Sequence, residues 1–234
     1  MTPATRITIG VLLTGLAGIG GFLVQRHLAG REAPAVPPAA EALPEAPFPG
    51  APEQPPVAAR KIPERMPDIA LPDAQGRQRR LLEWQGRPLI VNFWATWCAP
   101  CRREIPLLMK LRREHAGDGL EVLGIAVDFG DAVRQYAAEV GIDYPILVGE
   151  EGGLEAAQAF GMDLLLPFTA FVDPEGRIVA VRVGELHAGE AEFILARMKD
   201  VSAGRLTLEA ARGQIAAELR QQAVERARQG TQPS

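Results

Sequence analysis

The chain has 234 residues, with 25 Lys and Arg against 29 Asp and Glu, a net charge of −4. With no basic face and no nucleic-acid motif in the sequence, that balance gives no case for nucleic-acid binding. Two cysteines are too few for a disulfide scaffold. Adding the scattered His27, His115 and His187 gives no cluster approaching the four ligands of a zinc site.

The chain opens on an unbroken uncharged stretch, Ile7 to Val24, flanked by Arg6 and Arg26. Its length approaches the roughly 20 residues that cross a bilayer. It exceeds the apolar core of about 7–15 residues usual in a cleaved signal. Ala29-Gly30 is a poor cleavage site, and no nearby Cys could take a lipid. Residues 1–31 therefore read as an uncleaved signal anchor, a single transmembrane helix, with a cleaved signal as the alternative. Gly10, Gly15, Gly18, Gly20 and Gly21 give it small residues suited to helix packing. Arg26 and Arg31 compete with Arg6, so the flanking charges do not fix the orientation. Residues 32–61 are rich in Pro and Ala, including Pro37-Pro38 and Pro55-Pro56, and read as an extended, semi-rigid tether.

Residues 62–201 have the size of one domain. Apolar, β-branched runs predict strands at Leu89–Trp94, Glu121–Asp128, Pro145–Val148, Thr169–Asp173 and Ile178–Val183. Helical spacing predicts helices at Cys98–His115, Ala132–Val140, Leu154–Phe160 and Glu190–Lys199. Asp173-Pro174-Glu175-Gly176 is a turn, so the last two strands form a hairpin. Alternation that closes on a hairpin gives an α/β fold, a mixed sheet flanked by helices. No internal repeat is evident. Residues 202–234 form a helical extension. Within it, Leu206–Gln229 places Leu208, Ala211, Ile215, Leu219 and Ala223 on one face. That segment reads as an extra helix packed on the domain, with a partner helix or short coiled coil as the alternative.

The chemistry concentrates in Trp97-Cys98-Ala99-Pro100-Cys101. The one intramolecular bridge open to the chain, Cys98–Cys101, closes a tiny loop. Such a loop constrains the unfolded chain little, so the pair makes more sense as a redox switch than as a staple. At a helix N-terminus the Cys98 sulfur would meet unpaired N–H groups and the positive end of the dipole, both favouring thiolate. Cys101, one turn in and more buried, is the natural resolving thiol. Arg102 and Arg103 could add positive field. Covalent haem attachment would need a His after Cys101, where Arg102 stands.

These residues resemble the thioredoxin superfamily, and within it the membrane-anchored TlpA/ResA-like thiol–disulfide oxidoreductases. Asn92-Phe93-Trp94-Ala95-Thr96-Trp97-Cys98-Ala99-Pro100-Cys101 is the most specific match. Pro67 to Gly76 resembles the family's opening β-hairpin, Leu81 to Pro88 the lead into the first core strand, and Pro106 the proline of the active-site helix. Leu120–Met162 resembles a strand–helix insertion. The resemblance covers Pro67 to Val201. It implies a cis-proline loop at Leu166-Pro167-Phe168-Thr169, although Phe168 stands where Thr is common. It also implies that Trp97, Ala99, Pro100, Leu166 and Pro167 meet the substrate, Trp97 covering the disulfide while Trp94 packs in the core. Asn92 stands where cytoplasmic thioredoxins carry a buried Asp, and cannot take a proton. Glu104, three residues after Cys101, is the expected acid–base group of this branch; the bland alternative is a solvated Glu in a helix's first turns. His115 and His187 are expected at the surface.

The resemblance implies an enzyme of the inner membrane with its catalytic domain in the periplasm. It would reduce client disulfides through Cys98 attack and Cys101 resolution and be re-reduced by a membrane electron donor. No metal or organic cofactor is expected beyond the Cys98–Cys101 disulfide. Clients implied are apocytochrome c thiols or the thiols of copper sites. A disulfide-forming oxidant, a peroxidase, and a non-redox binding protein or holdase are the alternatives.

Overall fold

The computed structural model describes residues 62–162 and 165–230. The expected anchor and tether, residues 1–61, lie outside them. No helix among the described residues is long and apolar enough to cross a membrane.

The described chain begins with a small antiparallel hairpin, β1 (Ala70–Pro72) and β2 (Gln78–Arg80), followed by a 3₁₀ turn at Leu81–Trp84. It then enters β3 (Leu89–Trp94), α1 (Ala99–Glu114), β4 (Glu121–Ala126), α2 (Gly130–Val140), β5 (Ile146–Val148) and α3 (Glu150–Ala159). The hairpin β6 (Phe168–Val172) and β7 (Ile178–Val183) follows, then α4 (Ala188–Ser202) and α5 (Leu208–Gly230). The five-stranded sheet runs in the order β5-β4-β3-β6-β7. β3, β4 and β5 are parallel, and β6 and β7 antiparallel. This is the expected mixed sheet. The segment 120–162 holds two strand–helix units rather than one.

Strand period sorts β3 into two cores. Leu89, Val91 and Phe93 face the core with Leu81, Trp84, Phe160 and Phe168. Ile90 and Trp94 face the other, where α1 contributes Cys101, Ile105, Leu108 and Leu111 at helical spacing. Asn92 shares the Ile90 face by parity, so a polar residue is set beneath the active-site helix.

The predicted elements stand, with shifted ends. β4 stops at Ala126 because Val127 and Asp128 turn toward the loop after β3, Val127 N–H donating to the Trp94 carbonyl. β5 begins after Pro145, and β6 runs one residue earlier than expected because Asp173 turns its carboxylate into the following turn. α3 starts four residues before the predicted Leu154, through two glycines that weaken the helical signal. Gly153 sits at a close approach: a Cβ would lie 3.2 Å from Val127 Cγ2 and 3.4 Å from the Ala126 carbonyl oxygen.

One local turn motif occurs twice. In Asp73-Ala74-Gln75-Gly76-Arg77 and Asp173-Pro174-Glu175-Gly176-Arg177, the Asp accepts the N–H of the Arg four residues on and pairs with its guanidinium. Each closes a hairpin turn with Gly in the left-handed region.

The expected C-terminal helix packs on the domain. Ile215 is buried in the α1 core, with Leu208 and Leu219 against it; Ala211 is also buried, while Ala223 is exposed. Arg212 donates to the Ile178 carbonyl of the edge strand β7. The apolar seam is thus used internally.

Candidate active site

Cys98 caps the N-terminus of α1 with extended backbone, its sulfur 3.3 Å from the Cys101 N–H. The two cysteines are joined as a disulfide, with Cα atoms 5.3 Å apart. Cys98 is 5% exposed and Cys101 fully buried. Ala99 is exposed and Pro100 half-buried in the first turn of the helix. There Pro forfeits no intrahelical hydrogen bond. Pro106 sits on the exposed side of α1, where water can reach the carbonyl it leaves unbonded.

The loop before Cys98 is tied to the end of β4. Asp128 Oδ2 accepts from Thr96 N–H at 2.9 Å and Thr96 Oγ1 at 2.6 Å, and its Oδ1 accepts from Phe129 N–H at 2.8 Å. Asp128 is 94% removed from solvent, so this is a built clamp rather than a surface contact. No local pattern marks this role: in the sequence Asp128 closes the apolar run that predicts a strand.

Glu104 is buried beneath the helix, which overturns the picture of a solvated residue. Its Oε1 accepts from Asn92 Nδ2 at 2.7 Å and its Oε2 from Leu186 N–H at 2.7 Å. Asn92 Nδ2 also lies 3.0 Å from Thr169 Oγ1, on β6 directly across the sheet. Burial pushes the Glu104 carboxyl up to about 7, and the Glu185 charge adds to the rise. The Leu186 and Asn92 hydrogen bonds and the Arg182 charge pull the other way. Glu104 and Cys101 are one helical turn apart on the same buried face, so a carboxyl able to change protonation near neutral pH lies one turn from the Cys101 residue.

The Leu166–Pro167 peptide bond is cis, as the resemblance implies. Pro167 is buried and its carbonyl accepts from Gly184 N–H at 2.8 Å; Leu166 is half-buried. Trp94 packs in the core, as expected. The sulfurs sit in the core with Trp94, Ala95 and Ile105, while the Trp97 ring turns outward at 69% exposure. It lines a groove of about 550 Å³ with Phe129, Leu154 and Leu166, Glu150 and Glu151 standing on its margin. Phe129 is also 64% exposed. Phe129 and Leu154 line the same groove as Trp97 and Leu166, and no motif marks them in the sequence.

Of the two arginines after the motif, Arg103 is engaged by Glu185, its Nε 3.0 Å from Oε2, which offsets its field; Arg102 is exposed. His115 is partly buried, 3.1 Å from Glu192, and His187 is the N-cap of α4, so neither is a free surface residue. No group of metal-ligating side chains occurs among the described residues.

Residues 62–181 match the AhpC/TSA family. Thiol-disulfide oxidoreductase ResA of Geobacillus thermodenitrificans is 32% identical over 123 residues, 51% of this chain and 68% of the relative. Thioredoxin-like protein YneN of Bacillus subtilis is 34% identical over 135 residues, 55% of this chain and 75% of the relative. A solved Chlorobium tepidum protein, provisionally described as thiol:disulfide interchange protein DsbE, superposes with a TM-score of 0.54 at 22% identity. It covers 59% of this chain and 99% of its own, and shows the thioredoxin-like fold. The chain therefore belongs to the AhpC/TSA family, among its ResA-like thiol–disulfide oxidoreductases.

Proposed function

We propose that the protein is a membrane-tethered reductant of protein disulfides that faces the periplasm. The observation that supports it most is the setting of the Cys98–Cys101 disulfide, at a helix N-terminus beside an open apolar groove and above a buried carboxyl. Localisation rests on the apolar stretch Ile7 to Val24 and the Pro-rich segment after it.

In the reduced protein, the Cys98 thiolate attacks one sulfur of a client disulfide. The Cys98–client bond forms, the client S–S bond breaks, and the leaving sulfur departs as thiolate. The helix N-terminus stabilises the Cys98 thiolate before attack. Cys101 then gives up its proton and attacks the Cys98 sulfur. The Cys98–Cys101 bond forms, the mixed disulfide breaks, and the client leaves as a dithiol. Two electrons pass from the cysteine pair to the client. Glu104 receives the Cys101 proton during resolution, which a carboxyl poised near neutral pH can do in both directions. Leu166 and Pro167 pair with the extended client segment, while Trp97, Ala99 and Pro100 meet its side chains. A membrane electron donor returns the oxidised pair to the dithiol form. The two sulfurs are the redox group. Apocytochrome c thiols, or thiols destined for a copper site, are the proposed clients.

The test is trapping. Cys101→Ser in the full-length protein should accumulate a mixed disulfide through Cys98 with a disulfide-bonded haem-site or copper-site peptide, and Cys98→Ser should accumulate none. Equal trapping by both variants, or by neither, would sink the reading.

A further inference from the structure

The helix α5 lies wholly beyond the 62–181 family match, yet one of its side chains reaches toward the active-site carboxylate through a chain of bonds. Arg226, near the C-terminal end of α5, donates from Nη2 to Glu190 Oε1 at 2.6 Å. Glu190 is fully buried in the first turn of α4. Its Oε2 accepts from Arg182 Nε of β7 at 3.0 Å and from His187 N–H at 3.2 Å. The preceding residue in the chain, Leu186, gives its N–H to Glu104 Oε2 at 2.7 Å. Adjacent backbone amides of one loop thus end on two buried carboxylates, Glu190 and Glu104. The same loop is held to α1 by Glu185, whose carboxylate pairs with Arg103.

We infer that Arg226 is a positioning residue for Glu104: by holding Glu190 it fixes the loop 184–187, and with it the Leu186 N–H that Glu104 accepts. The inference rests on the reading that Glu104 serves the thiols. The groups facing Glu104 come from every element packed on it. Asn92 lies on β3, Arg182 on β7, Tyr144 before β5, Glu185 and Leu186 N–H on the loop, and Cys101 on α1 itself.

The direction of the effect follows from these contacts. Without the Arg226 cation, Glu190 keeps one guanidinium partner, Arg182, and draws it more strongly. Less of the Arg182 charge is then left to favour the Glu104 anion. A loosened loop also weakens the Leu186 hydrogen bond. Both changes favour the neutral carboxyl, so its ionisation moves to higher pH.

The experiment is the pH profile of alkylation of the reduced full-length protein by a small haloacetamide. The chain has only Cys98 and Cys101, so the rate reads this site alone. Arg226→Met replaces the cation with an apolar side chain, Arg226→Gln replaces it with a neutral amide on a shorter stem, and Arg226→Lys keeps a charge without the planar fork. Arg226 lies well past the buried Ala211 and Ile215, so each variant is expected to fold, which thermal unfolding checks. Glu104→Gln should remove one inflection from the profile. Arg226→Met and Arg226→Gln should displace that inflection upward by about half a pH unit, and Arg226→Lys should displace it less. A folded Met or Gln variant with the inflection unmoved overturns the inference while leaving the Glu104 reading intact. A profile unchanged by Glu104→Gln overturns both.

Discussion

Asn92 and Glu104 meet in the interior, amide nitrogen 2.7 Å from carboxylate oxygen, and are joined to Thr169 by a further 3.0 Å contact of the same amide. The central strand, the active-site helix and the strand after Pro167 are thereby linked at one buried point. An Asn there can orient a carboxylate without competing for its proton, which fits the proton-transfer role proposed for Glu104.

The first prediction concerns stability and pH. Burial raises the Glu104 carboxyl from 4.5 to about 7. A carboxyl raised in the folded state holds its proton there while the unfolded chain releases it. Wild-type stability therefore falls as pH rises from 4.5 to about 7 and is level on either side with respect to this group. In Glu104→Gln that decline should vanish. The difference in unfolding free energy between variant and wild type should move in the variant's favour by about 3 kcal/mol across the window. Denaturant unfolding of both proteins at matched pH values checks it, and parallel curves would contradict the buried, protonatable carboxyl.

A second prediction concerns client docking. Trp97, next to Cys98 in the chain, and Phe129 are exposed aromatics that line one groove rather than the core. Trp97→Ala and Phe129→Ala should each lower kcat/KM for a protein disulfide by about tenfold, the size of an interface anchor. Reaction with oxidised glutathione, too small to fill the groove, should hardly change. Equal losses on both substrates would place these rings in the chemistry instead.

Asp128 carries a third. Asp128→Ala removes the acceptor of Thr96 N–H, Thr96 Oγ1 and Phe129 N–H. Leaving those donors unpaired should cost about 1–3 kcal/mol in chemical unfolding. It should also raise amide hydrogen exchange in residues 95–98, and unchanged exchange would show that the loop is held by other means.

The fourth concerns the C-terminal helix. Ile215 is 2% exposed and packs into the α1 core from a helix outside the family match. Ile215→Ala should destabilise the protein by about 2–4 kcal/mol as a cavity forms. An exposed residue of the same helix such as Arg220, changed to Ala, should cost under about 0.5 kcal/mol. A negligible loss at Ile215 would mean that α5 adds little to the domain.

Much of this architecture is legible in the residues because two periodicities are strong. The apolar run of β3 and the spacing of Ile105, Leu108 and Leu111 mark the central strand and active-site helix, and the Cys-x-x-Cys stands where they join. The position of Glu104 near Cys101 follows from helical spacing, but its burial does not, since an acidic residue after two arginines has the look of a solvated face. Only the sheet register, which brings Asn92 opposite Thr169, supplies its hydrogen-bonding environment. The Arg226–Glu190–Arg182 cluster joins three elements distant in sequence, and no local pattern announces it. Phe129 is similarly silent: an aromatic after Asp128 reads as core until the turn into α2 sets it outside.

The measurement that bears most directly on the account is the reduction potential of the Cys98–Cys101 couple in the full-length protein, equilibrated against defined thiol–disulfide buffers. A dedicated reductant predicts a value toward the thioredoxin end of the scale, roughly −270 mV. A value toward roughly −120 mV would contradict it, since a pair that oxidising would donate its disulfide to clients rather than reduce theirs.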